Sequence, residues 1–169
     1  GSRELEFFMI NDTHGAFFDG EYPGMTRIST YFNNYDLDDQ FIKVANGDIF
    51  QGTYISNIFY GLPLVESFNE LDFDCFVIGN HEFDWGIEEI AKYKDGDLLN
   101  GEAEFPFLGA NIIDKRSNDI PEWIEPYTIV ERKGLKVGII GVMGETHESS
   151  ILQTNIQNYE FTNVLPVVK

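Results

Sequence analysis

The sequence predicts an α/β fold whose centre is a parallel sheet covered by helices, and three observations carry that prediction. Apolar runs of strand length recur at residues 5–10, 40–45 and 74–78. The stretches between them space their apolar residues as one helical face does, and each run ends in a short polar loop containing glycine. A βαβαβ start of this kind puts ligand sites outside the carboxyl ends of the strands.

Taken in order, residues 5–10 form the first expected strand, and Met25, Ile28, Tyr31, Phe32 and Tyr35 lie along one face of a helix over Met25–Tyr35. Residues 40–45 are the second strand. Residues 54–60 and 63–71 read as helices, the latter with Pro63 in its first turn, where a missing backbone N–H costs nothing. Residues 74–78 form the third strand, and 86–93 another helix. A single further strand is expected over 105–113, followed by a hairpin of 127–132 and 135–142 turned at Lys133-Gly134. No internal repeat, low-complexity tract or Pro/Ser-rich linker divides the chain.

Composition narrows the function classes. With 43% hydrophobic and 15% aromatic residues in 169, a packed core is expected rather than disorder. Eleven basic residues against 29 acidic ones give a net charge of −18, which argues against an intact nucleic acid polymer as partner. The acidity suits a solvated surface. The lone cysteine, Cys75, cannot close a disulfide within the chain and lies in an apolar run, where a small buried core residue is expected. No stretch approaches 18 consecutive apolar residues, so no transmembrane segment is expected. Phe7, Phe8, Phe17 and Phe18 are expected to pack in core and loops. Neither G-x-G-x-x-G nor G-x-x-x-x-G-K-[ST] occurs.

The chemistry is concentrated after the first three strands: Asn11-Asp12-Thr13-His14-Gly15, Asn46-Gly47-Asp48-Ile49-Phe50-Gln51-Gly52, and Gly79-Asn80-His81-Glu82-Phe83-Asp84-Trp85-Gly86. Asp12 and His14, two apart in an expected extended segment, offer an oxygen and a nitrogen on one side. Asp48 brings a carboxylate from the neighbouring strand, and Asn80 a neutral oxygen. Asn11-Asp12-Thr13 also matches a glycosylation sequon, but a glycan there would sit on the candidate site.

These segments together resemble the calcineurin-like metallophosphoesterases, with D-x-H, G-D and G-N-H-E each at a strand end. Gly-Asp-Ile-Phe-Gln-Gly and Gly-Asn-His-Glu-Phe-Asp-Trp-Gly look like the 5'-nucleotidase and 2',3'-cyclic nucleotide phosphodiesterase branch, as do 107–112 and 134–142. The resemblance implies a layered β-sheet sandwich flanked by helices. It also implies two divalent metal ions (Mn, Zn, Co or Mg) held by Asp12, His14, Asp48 and Asn80. By the same resemblance His81 is not a ligand but donates to the phosphate or leaving oxygen, oriented by Asp84. The implied substrate is a small phosphoester, and the implied location is extracellular, periplasmic or in the cell wall.

The family completes its metal site with downstream histidines and a G-H-x-H motif. Here there are only His14, His81 and His147, and His147 is expected to be a surface residue. Gly1-Ser2 is accordingly read as a cloning scar and 3–169 as the N-terminal part of a catalytic domain, expected to self-associate through open sheet edges. A non-catalytic binding module, or a sulfate-ester or thiosulfonate hydrolase on the same fold, are the alternative readings. Asn111 is expected either near the site or as a structural amide at a strand end.

Overall fold

The computed structural model describes residues 2, 4–16, 24–35 and 40–169. Phe17 and Phe18, and Gly1 of the expected scar, lie outside the described residues. The elements relevant to the site are β1 (Glu6–Ile10), α1 (Met25–Tyr35), β2 (Phe41–Asn46), α2 (Tyr54–Ile58), α3 (Leu62–Glu70) and β3 (Cys75–Val77). They are followed by α4 (Glu88–Ala91), β4 (Phe107–Leu108), β5 (Ile112–Asp114), β6 (Tyr127–Arg132), β7 (Leu135–Ile140), α5 (Gln153–Ile156), β8 (Tyr159–Phe161) and α6 (Val164–Val167).

Strands β1 to β4 form one parallel sheet in the order β1-β2-β3-β4. Right-handed crossovers in sequential order put every connecting helix on the same face. The side chains follow that rule. Ala45, Phe76 and Phe107 join Phe32 of α1, Leu64, Val65 and Phe68 of α3 and Ile90 of α4 in the larger buried cluster. The opposite face carries Ile42, Val44, Cys75, Val77 and Leu108, covered by Val130, Val137 and Ile139 of the β6-β7 hairpin. The period-2 alternation along each strand therefore feeds two cores.

Met25 and Phe32 are the buried residues of α1, one helical stripe apart. Phe32 meets Phe8 of β1 edge-on, with ring centroids 4.7 Å apart. The hairpin turns where expected: Lys133 (φ +50°) and Gly134 (φ +70°) are both left-handed, the geometry that matches the twist of paired strands. It is tied to the sheet by Arg132, whose Nη2 lies 2.6 Å from Asp74 Oδ1 and whose Nε donates to the Phe41 carbonyl. Asp74 Oδ2 in turn accepts the Lys43 N–H at 2.8 Å. Burial raises the Asp74 carboxyl above its ordinary range, opposed by the Lys43 N–H and Arg132.

Four expectations need correction. Residues 105–113 are two short strands, not one: β4 belongs to the parallel sheet, while β5 pairs antiparallel with β8. The chain breaks between them because the Asn111 side chain takes over the local pairing. It accepts the Met143 N–H at 2.8 Å and donates to the carbonyls of Met143 and Thr162 at 2.7 and 2.9 Å. Asn111, 0% exposed, is thus a structural amide. The helix expected over 54–60 stops at Ile58, and that over 86–93 shortens to α4 followed by a 3₁₀ turn at Lys92–Lys94. Phe7 does not pack in a core: it is 53% exposed, on the same face as Met9 at 64%.

Candidate metal centre

Each sequence motif sits directly beyond the carboxyl end of its strand, and backbone hydrogen bonds lace the loops together. Asp12 N–H donates to the Gly47 carbonyl and His14 N–H to the Asp48 carbonyl, both at 3.1 Å, and Gly15 N–H reaches the Ile49 carbonyl at 2.7 Å. The loop after β1 therefore runs alongside the loop after β2. Asp12 (φ +52°) and His14 (φ +47°) are left-handed rather than extended as expected, because alternating turns are what bring both N–H groups onto the neighbouring loop. His14 Nε2 and Asp12 Oδ1 are 4.0 Å apart.

His14 Nδ1 lies 3.1 Å from the Gln51 carbonyl oxygen, to which it donates as the Nδ1–H tautomer. That leaves Nε2 as its ligand atom, the usual arrangement behind a metal-binding imidazole. Gly52 makes this approach possible: at φ +152° it packs so closely that a Cβ there would lie 2.2 Å from the His14 carbonyl oxygen. Thr53 then anchors the same loop, its N–H donating to the His14 carbonyl at 2.9 Å while its hydroxyl accepts from Ser56 N–H to cap α2.

The third loop closes the site. After β3, Asn80–Phe83 form one 3₁₀ turn, which swings His81 toward Asp48. Asp48 Oδ1 accepts the His81 N–H at 3.0 Å. The His14 and His81 rings meet edge-on with centroids 5.0 Å apart. His14, Asp48 and His81 each present a ligand atom within 4.8 Å of the other two. The half-buried setting and the nitrogen and oxygen donors suit a divalent first-row ion.

His81 is therefore in the cluster as well as beside it. Its Nδ1 is 2.7 Å from Asp84 Oδ2, as the three-residue spacing predicts. The Asp84 hydrogen bond raises the His81 pKa above its ordinary value and outweighs partial burial, which pulls it down. With Nδ1 engaged, chemistry at His81 falls to Nε2. Asn155, at the end of the chain's α5 segment, donates to the Asp84 carbonyl at 2.9 Å and steadies that turn.

Asn80 is buried, and its Nδ2 donates to Ser150 Oγ at 3.2 Å, so its Oδ1 is the atom available to a cation. Ser150 closes a 3₁₀ segment, Glu145–Ser150, that the sequence pattern did not reveal. His147 in that segment is exposed, as expected. The other residue missed is Glu82. It belongs to the motif but received no role, and it is fully buried with backbone N–H groups on both oxygens. A cavity of about 550 Å³ beside α1 and α3, lined by Met25, Glu66 and Glu70 among others, contains no residue of the site. The candidate centre lies beyond the strand ends, with its His14 and His81 side chains partly exposed.

Several proteins of similar sequence are named 5'-nucleotidases. A snake venom 5'-nucleotidase from Crotalus adamanteus is 33% identical over 175 residues, covering 95% of this chain and 29% of its own length. A 5'-nucleotidase from Vibrio cholerae is 31% identical over 149 residues, covering 84% of this chain and 26% of its own. The chain belongs to the calcineurin-like metallophosphoesterases, in their 5'-nucleotidase branch. The solved 5'-nucleotidase precursor of Thermus thermophilus superposes with a TM-score of 0.81 at 25% identity, over 97% of this chain and 33% of that one. This metallophosphoesterase chain thus spans about a third or less of the length of these three proteins. No family model matches it.

Proposed function

We propose that this chain is part of a metal-dependent phosphoester hydrolase, acting on a 5'-nucleotide or a 2',3'-cyclic nucleotide outside the cell. The observation that carries the reading is the convergence of His14, Asp48 and His81 within 4.8 Å at three strand ends. Asp12 and Asn80 flank them as further oxygen donors. The similarity to named 5'-nucleotidases supports the substrate class, and the venom origin of one of them supports a secreted location.

Asp12, His14, Asp48 and Asn80 would hold the ions. A divalent pair in this position, drawn from Mn, Zn, Co or Mg, supplies Lewis acidity and an activated water. The chain's own contribution is orientation and proton handling. Gln51 fixes the His14 tautomer, so that Nε2 faces the site. Asp84 holds His81 at Nδ1 and keeps a proton at Nε2, which donates to a phosphate or leaving oxygen.

The test is a steady-state assay of the full-length protein on AMP, 2',3'-cyclic AMP and a sulfate ester, with and without chelator. Chelator-sensitive turnover of the nucleotides supports the proposal. Preference for the sulfate ester replaces the substrate class, and no turnover on any ester, with metal bound, favours a binding module.

A further inference from the structure

Glu82 is 0% exposed, yet its carboxylate is surrounded by backbone donors. Oε2 accepts from Gly79 N–H at 2.7 Å and Asp48 N–H at 3.0 Å; Oε1 accepts from Ile49 N–H at 2.8 Å and Phe50 N–H at 3.3 Å. Three of these donors are the successive amides of Asp48, Ile49 and Phe50. Consecutive amides pointing to one spot form a concave anion site, and the entry to this one is made by two left-handed residues, Gly47 (φ +84°) and Asp48 (φ +55°). Aspartate tolerates that conformation better than most residues with a side chain, but it is still a minority state. Something must hold it there.

The restraint runs in both directions. Glu82, on the loop after β3, holds the backbone of the Asp48 loop; Asp48 Oδ1, on the loop after β2, holds the His81 N–H on the Glu82 loop. The two loops are clasped reciprocally, and both contribute to the cluster of His14, Asp48 and His81. We propose that Glu82 is the positioning residue of the metal centre. It touches no ion, but by filling the 48–50 amide site it fixes where the Asp48 carboxylate and the His81 ring stand. The inference rests on the metal-site reading given above.

Glu82→Gln is the discriminating variant. It keeps size and one oxygen, but its NH₂ must face backbone N–H groups on one side, donor against donor. Two readouts on the 169-residue chain test it: Zn²⁺ affinity by calorimetry, and amide hydrogen exchange of Ile49, Phe50 and His81 by NMR in EDTA. The expected result is Zn²⁺ binding weakened by about 10- to 100-fold, the range for groups that orient ligands. Ile49, Phe50 and His81 should exchange faster, while Val130 and Val137 of the hairpin keep their protection.

Unchanged affinity together with unchanged exchange overturns the proposal. A uniform rise in exchange across the hairpin also overturns it, because that is general destabilisation. If the wild-type chain takes up no Zn²⁺, the metal reading fails for this chain, and the clasp is still judged by exchange in EDTA. Should Glu82→Gln not fold, Glu82→Asp keeps the charge on a shorter arm. It is expected to loosen Ile49 and Phe50 selectively, and wild-type exchange there would overturn the proposal equally.

Discussion

His81 Nδ1 stands 2.7 Å from Asp84 Oδ2, across one 3₁₀ turn that also carries Asn80 and Glu82. That pair fixes the tautomer of the only histidine on the third loop and raises its affinity for a proton. In the metal-free chain the His81 titration, followed by ring-proton NMR, is expected above the ordinary histidine value of about 6.5. Asp84→Asn should bring it down. The sign for stability follows: a histidine with a raised folded pKa stabilises the fold below its unfolded pKa, and this contribution is lost as pH rises through the folded value. Wild-type and Asp84→Asn chains should therefore differ in thermal stability most at acidic pH. Identical titrations in the two chains would remove Asp84 as the orienting group.

Asp48 and His81 are close in space but are expected to fail differently. In the full-length protein, Asp48→Asn should weaken metal binding and abolish turnover, since the proposed ligand set would lose a negative charge. His81→Asn should keep the metal and lose about 10²- to 10⁴-fold in rate, the usual worth of a general acid. Calorimetric metal affinities alongside rates decide the matter. Equal metal loss in both variants would make His81 a ligand, a role its place in the 4.8 Å cluster also permits.

Cys75 lies between the sheet and the hairpin, 0% exposed, and burial beside Asp74 pushes its thiol up to about 12. A thiol that stays protonated and covered is a poor nucleophile. Labelling with a thiol reagent at neutral pH is expected only once the chain is unfolded in denaturant. Rapid labelling of the native chain would mean that the hairpin does not stay seated on Cys75 and Val77.

Phe76 is fully buried in the larger core, with ring centroids 4.9 Å from Phe50 and 5.0 Å from Phe107. Phe76→Ala should cost about 3–5 kcal/mol in denaturant unfolding. Phe50 belongs to the Asp48 loop, so the same change is expected to weaken metal binding.

The exposed side of β1 leads to a prediction about association. Phe7 and Met9 are uncovered, and Ile129 (60% exposed) with Tyr127 and Ile140 leaves apolar surface on the hairpin's outer face. Among the described residues β1 has a strand on one side only. Sedimentation of the 169-residue chain is expected to show concentration-dependent self-association that Phe7→Glu reduces. A monodisperse monomer at high concentration would refute this.

How much of this was legible beforehand depends on the range of the interactions. Short spacing was enough to place Asp84 on His81, the hairpin turn at Lys133-Gly134, and α1 with its stripe of Met25 and Phe32, because local sterics and periodicity decide such features. The three site loops were legible for the same reason: each follows its own apolar strand. The sequence by itself thus determined the strand-loop-helix order and the identity of the groups offered at each strand end. Tertiary structure alone decided the rest. Asn111 breaks the 105–113 run because its partners, Met143 and Thr162, lie 32 and 51 residues away. Asp12 and His14 turn left-handed because their N–H groups find carbonyls on a neighbouring loop. Glu82 became a clasp only when folding buried it against the amides of Asp48, Ile49 and Phe50, since a buried carboxylate takes its role from the donors that surround it, and those come from another strand.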